Sequence, residues 1–296
     1  MMMKKLLINL AASLLLINGT ALHAEEFKGT PPTMTKVADG VYQYFAGFYS
    51  SLVVIGNESV LVTDSANSQR AEGLKVEIAK LTELPVTYVG LSHEHFDHVG
   101  GTEVFEDAQV ICHETCKDVF STTAVMPVPA VDIEFSDSLK IDLGGKSVEI
   151  FHTVPGDGMA TSIYWVPDAK VAFSADMYNY REFIFADTRQ DTNFLGVIKI
   201  LEMIESWKPS YVIDAHMPGN SLTAMTEYVQ MLNDLKTAVE GPMRTALESQ
   251  GPHAVFGLIS TLPQQIKLEQ YADWKGYDKQ FPDFVKRMAI VVFHGG

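Results

Sequence analysis

The run SHEHFDHVGG, Ser92 to Gly101, constrains this chain more than any other stretch of it. It follows directly on the apolar VTYVGL, which reads as a buried strand, so the polar loop starts where a strand leaves the core. It offers His93, Glu94, His95, Asp97 and His98 in close succession, and two glycines close it. A loop leaving a strand turns successive side chains to different sides. His93 and His95 can therefore serve one metal ion while Asp97 and His98 serve a neighbour. Imidazole and carboxylate are donors that suit zinc, and also iron or manganese.

The flanking sequence supplies a scaffold for such a loop. GVYQYFAG and SSLVVIGNESVLVTDS read as strands turning at Gly56 and Asn57, and AEGLKVEIAKLT as a helix with Leu74, Ile78 and Leu81 on one face. AQVICHE is a further strand, followed by a helix through the cysteines. SLKIDLGGKSVEIFHTV forms a hairpin at Gly144 and Gly145, and TSIYWVP and KVAFSAD are strands. DTNFLGVIKILEMIESWKPSYVIDAH is a helix then a strand. From Ser221 to Gln250 the spacing of Met225, Val229, Leu232, Leu235 and Val239 is helical, with an interruption expected near Gly241 and Pro242. Alternating strands and helices, with candidate ligands at strand ends, imply a layered α/β domain carrying a helical appendage.

His93, His95, Asp97 and His98, with Gly100 and Gly101, resemble the HxHxDH signature of the metallo-β-lactamase superfamily. Three further motifs stand in that family's order. Asp64 in VLVTDSAN matches an aspartate that props the histidine loop from behind. Asp176 in KVAFSADM matches one that bridges two metals, and His216 in YVIDAHMPG matches the last ligand. The resemblance spans roughly residues 37–219. It implies a four-layer αββα sandwich, and with the leader and helical stretch read from the sequence itself the expected division is residues 1–24 a signal peptide, 25–220 the catalytic core and 221–296 a mainly helical C-terminal extension.

One motif departs from the family. The superfamily phrase is similar to PGHTPDSLVVWLP, and here FHTVPGDGMATSIYWVP carries Asp157 where the histidine would stand, whether counted from Pro155 or from Pro167. Alkyl-sulfatase-like members also carry a carboxylate, a glutamate, in that place. Two other readings stay open: that His152 folds back to serve, or that the first site lacks a third protein ligand. Met159 is excluded, because a thioether is a poor ligand for a hard, water-activating dication. Asp157 adds one negative charge to the donor set, which widens the choice from zinc toward iron or manganese.

The resemblance implies two divalent ions, zinc by first preference. His93, His95 and Asp157 would hold one, Asp97, His98 and His216 the other, and Asp176 would lie between them. A bridging hydroxide would be the nucleophile, Asp97 would orient it, and Asp64 would stand behind the ligands. The segment after Asp176, with Tyr178, Tyr180, Arg181 and Phe183, then Phe185 and Arg189, has two readings: it borders the substrate cleft, or its aromatics pack the loop onto the core.

The N-terminus reads as a secretory leader: Lys4 and Lys5, an apolar run from Leu6 to Ile17, then small residues to Ala24. No cysteine follows the run to carry a lipid, so the expected location is periplasmic or secreted, with no stable membrane anchor. Formal charge is 22 − 37 = −15. Such a surface repels polyphosphates and argues against nucleic acid as a partner. Cys112 and Cys116 are expected to be two packed thiols under one helix face. The function that follows is an exported metal-dependent hydrolase of a small-molecule substrate: an ester, sulfate ester, lactone or amide. The alternatives are a β-lactam hydrolase and an iron-dependent sulfur dioxygenase-like oxidoreductase.

Overall fold

The computed structural model describes residues 30–123, 125–184 and 192–295. The expected leader, residues 1–24, and Phe185 and Arg189 lie outside them. A first sheet of seven strands runs in sequence order: β1 (Thr30–Ala38), β2 (Val41–Gly47), β3 (Tyr49–Ile55), β4 (Val60–Thr63), β5 (Val86–Gly90), β6 (Gln109–His113) and β7 (Ile133–Phe135). Its first four strands are antiparallel neighbours joined by short turns, and β4 to β7 are parallel. Parallel pairing demands crossovers. These carry α1 (Ser68–Ala79), the single-turn α2 (Phe96–Val99) and α3 (Thr115–Thr122).

The second sheet contains β8 (Ser138–Asp142), β9 (Ser147–Phe151), β10 (Ile163–Val166), β11 (Val171–Phe173) and β12 (Tyr211–Ile213), in the order β12-β11-β10-β9-β8. The β8–β9 hairpin turns at Gly144 and Gly145, whose φ values of 80° and 76° are those a type I′ turn requires. β11 and β12 are parallel, with α4 (Phe194–Ser206) as their crossover. Three long helices follow: α5 (Leu222–Gln250), α6 (Pro252–Gln265) and α7 (Tyr277–His294).

Apolar side chains fill three layers, which makes the sandwich four layers deep. Leu52, Val54, Leu61, Ile150, Tyr164 and Phe173 pack between the two sheets. Val53, Val62, Val89, Leu74 and Ile78 join the first sheet to its outer helices. On the far side, α4 residues Val197, Ile200 and Leu201 pack with Trp165, and the same cluster continues into Met225, Tyr228, Leu232, Phe284 and Met288. The C-terminal helices therefore share a core with the outer layer of the second sheet.

Three local expectations are corrected. α5 runs unbroken through Pro242, because buried Val239, Met243 and Ala246 continue its apolar stripe on both sides of the proline. Polar β1 and short β7, neither with a clear apolar alternation, add two strands to the first sheet. Cys112 and Cys116 are bonded to each other, with Cα atoms 6.2 Å apart. Cys112 lies on β6 and Cys116 on α3, so they share no helix face. Among the described residues no helix is long and apolar enough to cross a membrane.

Candidate metal centre

The centre is assembled where β4, β5, β11 and β12 end. Asp64 follows β4 directly, buried and held at a positive φ of 41°. Its Oδ1 accepts the Ser92 backbone N–H at 2.8 Å, and its Oδ2 accepts the Ser92 hydroxyl at 2.6 Å. Oδ2 also lies 3.0 Å from His98 Nδ1. This carboxylate thus fixes one end of the His98 ring and turns the other, Nε2, toward Asp176. Behind it, Arg70 donates to the Asp64 carbonyl at 3.0 Å and to the Tyr49 carbonyl at 2.9 Å. Burial pushes the Arg70 guanidinium down to about 10, a cost that several carbonyl acceptors offset.

Two donor groups result from one loop. His95 is extended, and α2 begins at the next residue, so the chain changes direction between His95 and Asp97. His93 and His95 face Asp157: its Oδ2 is 3.9 Å from His93 Nε2 and 3.4 Å from His95 Nδ1. Asp97 and His98 face Asp176 and His216. The donor atoms of His93, His95 and Asp157 lie within 4.8 Å of one another, as do those of Asp97, His98, Asp176 and His216. The His93 and His98 ring centroids are 4.4 Å apart, so the groups are contiguous.

Asp176 stands three residues beyond β11, after Ala175 at a φ of 57°. Its Oδ2 is 3.1 Å from His98 Nε2 and 2.8 Å from His216 Nε2. His216 Nδ1 donates to the Phe48 carbonyl at 2.9 Å, which leaves Nε2 for the centre. The Tyr49 hydroxyl donates to Asp97 Oδ2 at 3.3 Å. Burial and then the Asp97 carboxylate push that phenol up to about 12.

The electrostatics divide the histidines. Burial, and then the neighbouring His98 and His95 rings, hold His93 well below the usual imidazole range. It is neutral, and its Nδ1 meets the Ser92 hydroxyl at 2.8 Å. Burial opposes charge on His98 and His216 too, but Asp176 overrides it and raises both. Burial would raise Asp176, yet His98 and His216 hold it well below the carboxylate range.

Among the described residues two buried atoms of the centre, His93 Nε2 and Asp176 Oδ1, make no hydrogen bond. An unmatched buried polar atom costs about 1–3 kcal/mol, and each of these two belongs to a donor group. Imidazole nitrogens and carboxylate oxygens at this spacing fit a pair of divalent cations.

Asp157 is buried and seated from two sides. The Glu94 carboxylate accepts the Met159 N–H at 2.6 Å and the Ala160 N–H at 3.0 Å. Gly158 lies against it with a φ of 84°, and a Cβ there would come within 2.7 Å of Glu94 Oε2. On the other side the Thr192 hydroxyl donates to Asp157 Oδ1. His152 belongs to neither group: it stacks on His113 at a centroid distance of 3.6 Å, and its Nδ1 meets the Thr161 carbonyl.

Of the two readings of the segment after Asp176, Tyr178 and Phe183 take the core and not the cleft. Tyr178 is buried, its hydroxyl 2.8 Å from both Ser174 Oγ and Ser221 Oγ. Phe183 is fully buried among Trp274, Tyr277, Phe281 and Phe284. Backbone bonds between Arg181–Phe183 and Lys275 dock this segment onto the C-terminal helices. Arg181 pairs with Glu227 of α5 at 2.8 Å, and Tyr180 is half-exposed beside it. The sequence pattern assigns no role to Glu94 and does not point to Thr192, Tyr49 or Arg70. Glu94 sits inside the motif and was open to notice; the others reach the site only through folding.

Residues 45–216 match the Metallo-beta-lactamase superfamily. The chain belongs to that superfamily. It is 23% identical over 224 residues to a metallo-beta-lactamase type 2 from Bacteroides fragilis, covering 71% of this chain and 89% of that one. Two solved structures share the superfamily fold. The metallo-beta-lactamase from Pontibacter korlensis has a TM-score of 0.59 at 17% identity, covering 68% of this chain and 99% of that one. The stereoselective inverting sec-alkylsulfatase Pisa1 from Pseudomonas sp. has a TM-score of 0.68 at 14% identity, covering 89% of this chain and half of its own. A match over 89% of 296 residues is longer than the part preceding α5, so this likeness reaches into the C-terminal helices.

Proposed function

We propose that this metallo-β-lactamase superfamily protein is an exported hydrolase with a dinuclear metal centre. Its substrate would be a small ester, sulfate ester, lactone or amide, and its location the periplasm or the medium. The observation that carries the reading is the pair of adjoining donor groups, each with a buried donor atom that makes no hydrogen bond among the described residues. His93, His95 and Asp157 would hold one ion, Asp97, His98 and His216 the other, with Asp176 shared between them. Zinc is the first candidate, with iron or manganese next. Such ions supply a nucleophile by acidifying water, and they polarise the bond under attack.

The chain's own residues set the rest. Asp64 and the Phe48 carbonyl hold His98 and His216 with their Nε2 atoms inward. Asp97, which accepts from Tyr49, is placed to accept a hydrogen bond from the attacking water and aim it. Beside Asp97 opens a groove of about 690 Å³, bordered by Phe96, Val99, Met126, Pro127 and Val128. Its charged lining, among the described residues, is acidic: Asp97, Glu103, Glu106 and Asp132. Such a groove accepts an apolar, uncharged limb while the reacting group lies on the metals. It disfavours a β-lactam, whose carboxylate lies beside the ring. Asp157 in the first donor group and the Pisa1-like reach into the helices likewise support an ester or sulfate-ester substrate over a β-lactam.

Metal analysis of the purified protein, followed by a panel of β-lactams, lactones, carboxylic, sulfate and phosphate esters, tests this. About two zinc ions per chain with turnover of an alkyl ester or alkyl sulfate is the expected result. Iron accompanied by oxygen consumption would move the reading to a dioxygenase, and a protein that binds no metal would end it.

A further inference from the structure

We propose that Thr192 makes Asp157 a one-oxygen ligand, and that Arg287 of the last helix sets Thr192, so that α7 is part of the first donor group. The proposal rests on the hydrolase reading only in that the group binds a metal. A carboxylate standing where imidazole would stand has a problem that imidazole lacks: two equivalent oxygens and a torsion that can present either or both. Here the two oxygens have separate tasks. Oδ1 accepts the Thr192 hydroxyl, while Oδ2 is the oxygen near His93 and His95. The threonine thus leaves one donor facing the histidines, as an imidazole would.

Thr192 is itself fixed. Its side chain is buried, and its carbonyl accepts Arg287 Nε at 2.7 Å across the interface with α7. The next residue, Asn193, donates its N–H to the Gly156 carbonyl at 2.8 Å and caps α4 with its side chain. Gly196 lies so close to the Pro155 carbonyl that a Cβ there would approach to 1.9 Å. The segment 192–196 therefore lies along 155–157 and carries no slack. Partners that orient a metal ligand typically matter by about 10–100-fold in metal affinity.

The test is zinc affinity by chelator competition and the visible spectrum of the cobalt-loaded protein, on Thr192→Val, Thr192→Ser and Arg287→Met. The expected result is that Thr192→Val weakens one of two ions by about 10–100-fold and changes the cobalt spectrum, while the other ion binds as before. Thr192→Ser, which keeps the hydroxyl, should behave as wild type, and Arg287→Met should show a smaller loss at the same ion. Circular dichroism of each metal-free variant identifies misfolding, and the Thr192→Ser comparison stands even if Thr192→Val is unstable. The proposal is overturned if Thr192→Val binds both ions as the wild type does, if both ions weaken together, or if serine fails to restore what valine loses. A wild-type protein that binds no metal would instead remove the hydrolase reading, and this proposal with it.

Discussion

The two donor groups are supported in different ways. Both groups draw two members from the loop after β5, and in the group of Asp97 and His98 strand ends place the rest: Asp176 and His216 each stand three residues past a strand end, and Asp64 follows β4 directly. In the group of His93, His95 and Asp157, the third member stands six residues past β9 in a loop. That loop is gripped by side chains from elsewhere, Glu94 and Thr192. Beyond the shared loop, one group is completed by sheet geometry and the other by a residue that a few hydrogen bonds hold. Sites on strands hold their geometry more tightly than sites on loops, so the second kind should be the easier to perturb selectively.

Replacing Asp176 should have the largest effect. Asp176→Ala removes the carboxylate that touches both His98 and His216, and activity should fall by roughly a thousandfold or more, with both ions weakened. Elemental analysis finding two tightly held ions in that variant would break the comparison at its stronger end. Asp157→Ala comes next: bound metal should drop from two ions toward one, with activity lost by about a hundredfold or more. Normal metal content there would overturn Asp157 as a ligand.

Glu94→Gln keeps the shape but turns a donor toward an N–H group that now has an acceptor. The ion held by His93, His95 and Asp157 should weaken by roughly tenfold while its neighbour is unchanged, read by chelator competition. A subtler contrast lies in pH. Asp176 raises His98 and His216, so a metal must displace protons from both rings, whereas His93 is already neutral. Zinc affinity at the Asp176 group should therefore rise with pH across the neutral range, and His93 should add nothing to that slope. Flat affinity at the Asp176 group would contradict the charge assignment. Smallest of all, His152→Ala should leave metal content and turnover unchanged, because that ring stacks on His113 and belongs to neither donor group.

The parts legible in the sequence were those governed by local pattern. The histidine loop after a buried strand is legible from its own residues, whereas Asp176 and His216 follow later strands as single polar residues and are singled out only by the order of motifs that the superfamily resemblance supplies. Asp157 is placed by counting from Pro155 and Pro167 against the superfamily's phrase, so it too rests on the resemblance. Thr192 and Arg287 could not be placed: the hydroxyl is 35 residues from its carboxylate, and the guanidinium 95 from its carbonyl. Nothing periodic links such pairs. Tyr178 and Phe183 could face a cleft or a core with the same composition; contacts with Ser174 and Ser221 seat the first in the core, and docking on Lys275 seats the second. The cysteines were misjudged because their spacing suits one helix, while the chain passes from β6 into α3 between them.

The contact between Arg287 and Thr192 matters for anyone who shortens this protein. A chain ended at Gly251, just after α5, would keep every residue of the donor groups and look catalytically whole on paper. It would lack Arg287, the donor to the Thr192 carbonyl, and also Phe281, Phe284 and Met288, whose loss strips apolar cover from α4 and α5, so shortening would damage packing and metal loading together and only point substitution separates the two.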